Sequence, residues 1–223
     1  MISVEHLTKY YGDHLAVDDI SFEITEGHVY GFLGPNGAGK STTMNIITGC
    51  LSATDGKVLI DGHDIFEEPD AAKRLIGYLP EHPPLYMNES PYDYLRFVGE
   101  AKGLKGAALV QQVEEVIEKT GIQNVKHRRI SQLSKGYKQR VGIAQALLGN
   151  PKVIILDEPT VGLDPAERIA ALNLIAKRGL HSTVIMATHL SSDIAHIAKE
   201  AVMLERGKLV YAGSTEKAMS LLA

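Results

Sequence analysis

The chain contains one cysteine, Cys50. A single thiol excludes an internal disulfide framework and a cysteine-based zinc module, and it fits a reducing cytosol. Cys50 itself is expected in the core as a small apolar residue. Long hydrophobic runs are missing too. None approaches the roughly 18–20 residues of a membrane span, and the longest, such as Val153-Ile154-Ile155-Leu156, have the length of a strand. Met1 leads straight into Ile2-Ser3-Val4-Glu5-His6-Leu7, without the basic segment and apolar stretch of a secretory signal. A role at a membrane therefore has to work through another chain. The net charge of −4 gives no overall basic field, so nucleic acid is not expected as a partner. The local patch Lys126-His127-Arg128-Arg129 reads as a solvated loop. There is no low-complexity run, internal repeat or heptad pattern.

What remains is 223 residues, 44% of them apolar, enough for one packed domain with a subdomain. Ile20, Phe22 and Ile24 alternate with polar residues, as in a strand with one face buried. Val29-Tyr30-Gly31-Phe32-Leu33 is a short apolar strand, and a helix is expected from about Ser41 to Gly49. Lys57–Ile60 and Ile76–Leu79 read as further strands. Residues 82–149 differ in texture: prolines punctuate the start, and apolar residues then recur at helical spacing, as in Leu109, Val113, Val116 and Ile117. Beyond them strands and helices alternate, with Asp164-Pro165 starting one helix, Thr183–Met186 forming a strand and Ser191 capping another helix. Leu221-Leu222-Ala223 reads as helical. This order predicts an α/β fold with a mainly parallel sheet. The core is expected in 1–81 and 150–223, and a helical subdomain in 82–149.

The strongest chemical signal is Gly34-Pro35-Asn36-Gly37-Ala38-Gly39-Lys40-Ser41, followed by Thr42. The glycines let successive main-chain N–H groups turn toward phosphate oxygens, and the following helix adds its positive end. Lys40 is placed to meet the β- and γ-phosphates of ATP, and the Ser41 hydroxyl to bind Mg²⁺. The second signal is Asp157-Glu158 directly after an apolar strand. Ligand sites of open α/β sheets lie at such strand ends. Asp157 fits a Mg²⁺-holding acid and Glu158 the residue that polarises the attacking water. These motifs alone define a P-loop nucleotidase and leave kinases, GTPases and motor ATPases open.

The segment Leu133-Ser134-Lys135-Gly136-Tyr137 resembles the Leu-Ser-Gly-Gly-Gln signature of ABC-type ATPases, the nucleotide-binding subunits of ABC transporters. The resemblance covers the whole chain and points to a bacterial export-type branch. It implies an antiparallel β subdomain and a helical subdomain around the P-loop core. It also implies an ATP-sandwich dimer, in which Ser134 and Gly136 of one copy meet the γ-phosphate held by the other. Tyr11 resembles the aromatic residue that stacks on adenine, with Val17 in the same pocket. Asp164 closes a segment like the family's D-loop and is expected to reach across the dimer. His189 resembles the switch histidine near the γ-phosphate, and Glu81 stands where many members carry a Mg²⁺-approaching glutamine. The implied partners are a second copy and an integral membrane permease, with the chain peripheral on the cytoplasmic face of the cell membrane. Leu85, Tyr86 and Met87 are candidate permease contacts. The chain departs from the pattern at Lys135, Tyr137 and Glu81, where a lysine replaces glycine, a tyrosine replaces glutamine and a glutamate replaces glutamine. A soluble switch ATPase uncoupled from transport, and a nucleotide-gated binder without turnover, are the alternative functions.

Overall fold

The computed structural model describes residues 1–222. Two sheets meet in it. The first is antiparallel and contains β1 (Ile2–Tyr11), β2 (His14–Ile24), β4 (Asp55–Ile60) and β5 (His63–Asp64), in the order β2-β1-β4-β5. The end of β2 alternates: Ile20, Phe22 and Ile24 are buried while Ser21 and Glu23 face outward. The second sheet has the order β10-β9-β3-β8-β7-β6, built from β3 (Val29–Leu33), β6 (Ile76–Leu79), β7 (Val153–Asp157), β8 (Thr183–Thr188), β9 (Glu200–Glu205) and β10 (Lys208–Ser214). All of its neighbours run parallel except β10, which pairs antiparallel with β9. Every residue of β3, β7 and β8 is buried, because both faces of these strands are covered.

Alternate residues of a strand serve opposite faces. Val153 and Ile155 of β7 join a core with Phe32, Ile185, Phe22 and Val58, which packs the antiparallel sheet and α1 (Lys40–Ile47) against the central one. Ile154 and Leu156 point the other way. They join a core with Met186, Ile175, Leu95, Ile117 and Val141, shared with α3 (Pro91–Ala101), α4 (Gly106–Thr120), α5 (Lys135–Leu147) and α6 (Pro165–Gly179). Phe32 is fully buried, so its truncation to alanine removes about 3–5 kcal/mol of packing. The short helix α2 (Pro69–Arg74), α7 (Ser191–Ile197) and α8 (Thr215–Leu222) complete the chain; Ala223 lies outside the described residues.

The register fixes the site. Leu33 pairs with Thr188 and Asp157 with Ala187, so β3, β7 and β8 end side by side. The chain segments that follow, starting at Gly34, Glu158 and His189, emerge on the same edge.

Two local expectations are corrected. Cys50 is exposed. Helix α1 ends at Ile47, and Gly49, at φ 67°, turns the chain outward just before the thiol. Ser191 does not cap α7; it is the first helical residue, and the cap position is Leu190. The Leu190 N–H donates to Thr188 Oγ1 at 3.1 Å, so the threonine two residues upstream of Leu190 serves the turn.

Candidate active site

The glycine-rich loop starting at Gly34 joins β3 to α1. Gly39 sits at its end with φ 101°, directly over β2, where a Cβ would lie 2.8 Å from the Ala16 carbonyl oxygen. Both the backbone angle and the close approach require glycine there. Lys40 opens α1 and folds back over the loop, its Nζ donating to the Gly34 carbonyl at 2.7 Å and the Pro35 carbonyl at 3.2 Å. Burial pulls its pKa down, against the opposing pull of Glu158, Asp157 and Glu81.

Asp157 ends β7 and is buried. Burial raises its pKa; the Ser41 hydroxyl beside it lowers it, the charges of Glu158 and Glu81 raise it, and Lys40 lowers it. Its Oδ1 is buried without a hydrogen-bond partner. An orphaned carboxylate oxygen next to a serine hydroxyl suits a hard, oxygen-seeking divalent cation.

Glu158 leaves the strand with a positive φ of 50°, uncommon for a side chain with a Cβ. The bend returns its carboxylate to the end of β8. Its Oε1 accepts from the His189 main-chain N–H at 3.0 Å and is 2.9 Å from His189 Nδ1, and its Oε2 accepts from Thr188 Oγ1 at 3.1 Å. A carboxylate held by two consecutive residues has a fixed orientation. With Nδ1 donating, the Nε2 of His189 is the acceptor nitrogen.

A cavity of about 440 Å³ opens over these groups. It brings together Tyr11, Asn36, Gly37, Gly39, Lys40, Ser41, Thr42, Glu81, Glu158 and His189. Gly34, Pro35 and Ala38 shape the loop beneath without lining the cavity, and Ala38 is buried. Tyr11 is half exposed at the rim, with Lys9 Nζ 5.4 Å from its ring centroid. Val17 does not line the cavity: it is fully buried in the core under Gly39. Its strand neighbour Ala16 takes that place, because adjacent strand residues face opposite ways, and His14 joins Ala16 two residues back on the same face. His14, Ala16 and Val161 were not legible as site residues. The period of two from His14 to Ala16 is the only local signal for them.

Ser134, Gly136 and Asp164 lie away from the cavity wall. Ser134 is the N-cap of α5, accepting the Tyr137 N–H at 3.3 Å. Tyr137 is tied to the helical region by Asn124, whose Nδ2 donates to its hydroxyl at 2.9 Å. Asp164 caps α6 by accepting the Glu167 N–H at 2.8 Å. The loop between Glu158 and α6 is pinned by a residue that sequence reasoning did not single out. Asp193, buried in α7, accepts from Thr160 Oγ1 at 2.6 Å and from Arg168 Nε at 2.7 Å, with a second contact to the Arg168 guanidinium.

A glycine-rich loop running into a helix, with an acid at the end of a neighbouring parallel strand, defines a P-loop nucleoside triphosphatase. Comparison with known proteins narrows the class. Residues 17–161 match the family model described as ABC transporter. The chain is 37% identical to the uncharacterized ABC transporter ATP-binding protein YxlF of Bacillus subtilis over 97% of its own length and 72% of that protein. It is 36% identical to the lantibiotic transport ATP-binding protein SrtF of Streptococcus pyogenes, over 94% and 89% of the two chains. Among solved structures, the dimeric post-hydrolysis state of the ATP-binding cassette MJ0796, bound to ADP and Pi, superposes with a TM-score of 0.86 at 26% identity, over 96% and 99% of the two chains. The chain belongs to the ABC transporter family, as an ATP-binding ATPase subunit.

Proposed function

We propose that two copies of this chain close on two ATP molecules, and that hydrolysis reopens them to drive an export-type integral membrane permease from the cytoplasmic face. One observation carries the hydrolytic part. Glu158 is buried, bent out of its strand and clamped by Thr188 and His189 on the wall that faces Lys40. A binder without turnover has no use for a carboxylate oriented in this way.

Tyr11 stacks on the adenine, and the loop amides from Gly34 to Ser41, with Thr42, cradle the phosphates. On ATP binding Lys40 exchanges its two carbonyl partners for the β- and γ-phosphates. Ser41 and Asp157, with Glu81 reaching through water, are the residues that hold Mg²⁺, which offsets phosphate charge when bound. Glu158 orients and deprotonates water for attack on the γ-phosphorus, and His189 keeps Glu158 and the γ-phosphate in register. Positioning and electrostatics supply most of the acceleration. Ser134 and Gly136 of the second copy complete each site, and Asp164 reaches across the pair.

Residues 82–149 move as a helical unit and pass the closure on. A second cavity of about 270 Å³ shares Glu81, Glu158 and Val161 with the first and extends to Leu85 and Met87. Tyr86 and Met87 are exposed, and Tyr86 packs on Tyr94 and Phe97 at 5.6 and 5.3 Å between ring centroids. This rigid aromatic edge suits a helix offered by the permease. No helix among the described residues is long and apolar enough to cross a membrane.

The test is phosphate release by the purified chain, followed by recovery of the chain from membranes. ATP- and Mg²⁺-dependent release that Glu158→Gln abolishes, together with a co-purifying integral membrane protein that Tyr86→Ala loses, is expected. Absence of release from a chain that binds ATP, with or without its membrane partner, overturns the proposal.

A further inference from the structure

Two turns face each other beside the nucleotide cavity: the start of α5 at Ser134–Gly136, which lies off the cavity wall, and the loop that runs from Glu158 and Val161 on that wall into α6. Each carries a glycine against which a charged side chain of the other lies, Gly136 buried and Gly162 exposed. Glu167, in the first turn of α6, lays its carboxylate on Gly136, where a Cβ would collide with both of its oxygens. Lys135 lays its side chain across Gly162, where a Cβ would collide with Nζ and lie 2.9 Å from Cε. The cover is real: Gly136 is buried although Ser134 and Lys135 beside it are exposed. Neither Lys135 nor Glu167 belongs to an ion pair among the described residues. The Glu167 backbone is fixed by its N–H bond to Asp164, which sets how far the carboxylate reaches.

The proposed function places the γ-phosphate of a second copy's ATP on Ser134 and Gly136, and this inference rests on that reading. In the single subunit an anion already lies against that glycine. A carboxylate and a phosphate at one helix start exclude each other by volume and by charge. We infer that Glu167 is a positioning residue of the ATP sandwich, a built-in competitor that leaves Gly136 when the partner's γ-phosphate docks and returns when the phosphate has gone. Lys135, seated on Gly162, keeps the signature turn attached to its own loop while the carboxylate moves. The pair thus biases the subunits toward separation and makes closure demand a full triphosphate.

The experiment uses the full chain carrying Glu158→Gln, which slows turnover so that closure is read at equilibrium by sedimentation with ATP and Mg²⁺. Adding Glu167→Gln, of equal size and without charge, is expected to lower the ATP concentration for half closure by roughly three- to fivefold, the scale of an exposed charge contact. That gain shrinks in about 1 M salt, where the screening length falls to about 3 Å. Glu167→Asp keeps the charge but withdraws it by one methylene, and falls between. In the chain with Glu158 intact, Glu167→Gln lowers the KM for ATP without raising kcat, a split that a merely structural role does not give. An unchanged half-closure concentration, or an equal gain at low and high salt, overturns the inference and leaves the sandwich standing. A Glu158→Gln chain that binds ATP yet never pairs overturns the sandwich and the inference together.

Discussion

Replacing Asp193 by alanine tests the joint between α7 and the loop after Glu158. The side chain is 2% exposed and accepts from both Thr160 and Arg168. Alanine leaves a guanidinium facing a small apolar void and a buried threonine hydroxyl without its acceptor. Removing one partner of a buried ion pair costs about 3–5 kcal/mol, because the remaining charge is uncompensated. The Arg168 side chain is 31% exposed, so water recovers part of that, and about 2–4 kcal/mol is the expected loss. For a domain of this size each kcal/mol moves Tm by about 2–4 °C, so a fall of roughly 4–16 °C follows. Urea unfolding followed by circular dichroism measures the free energy directly. Thr160→Val removes one hydrogen bond and leaves the ion pair, so its cost is about 1 kcal/mol. The double change Asp193→Leu with Arg168→Met replaces the pair by apolar groups and recovers most of the stability. It does not recover ATPase activity, because Thr160 still lacks its anchor. A loss below about 1 kcal/mol for Asp193→Ala refutes the reasoning.

Four further outcomes follow from the site. Glu158→Gln retains ATP binding and lowers turnover by about 10²–10⁴-fold, as measured by single-turnover phosphate release. Asp157 has a raised pKa, so its proton is held to higher pH than in a free aspartate; stability from that proton is full below the ordinary value of 3.8 and is lost as pH rises through the raised one. Asp157→Asn therefore raises the melting temperature of the nucleotide-free chain at neutral pH while abolishing Mg²⁺-dependent turnover. In the unsubstituted chain, the half-saturating Mg²⁺ concentration climbs as pH falls toward the Asp157 pKa. Tyr11→Ala weakens ATP about 5–150-fold through loss of stacking worth about 1–3 kcal/mol, with kcat nearly unchanged, to be read by equilibrium nucleotide titration and steady-state kinetics.

Much of the fold was written locally. Val29–Leu33 and Val153–Leu156 announce buried parallel strands by continuous apolarity, and the Gly34–Ser41 spacing announces a phosphate loop by its glycines. Where a residue's role depends on what another element brings to it, the sequence was silent or misleading. Cys50 is apolar enough for a core, but a left-handed glycine turns it out. Val17 and Ala16 are both small and apolar, and only the packing of Gly39 on β2 decides which one meets the cavity. Thr188 and Asp193 are ordinary polar residues until β8 and α7 carry them to Glu158 and Thr160. Local pattern thus specifies the elements, while the clamps between elements come from register.

The fold-back of Lys40 has a thermodynamic consequence. Because its ammonium already donates to Gly34 and Pro35, a nucleotide that takes Lys40 as the proposed function has it gains only the difference between phosphate and carbonyl partners. The lysine also has no deep hydration shell to shed, since it is buried beforehand. The same exchange runs in reverse when product leaves, with the two carbonyls taking back the cation as the phosphates depart. A lysine with somewhere to return to holds affinity in a middle range, and a machine that discards its product on every cycle works within that range.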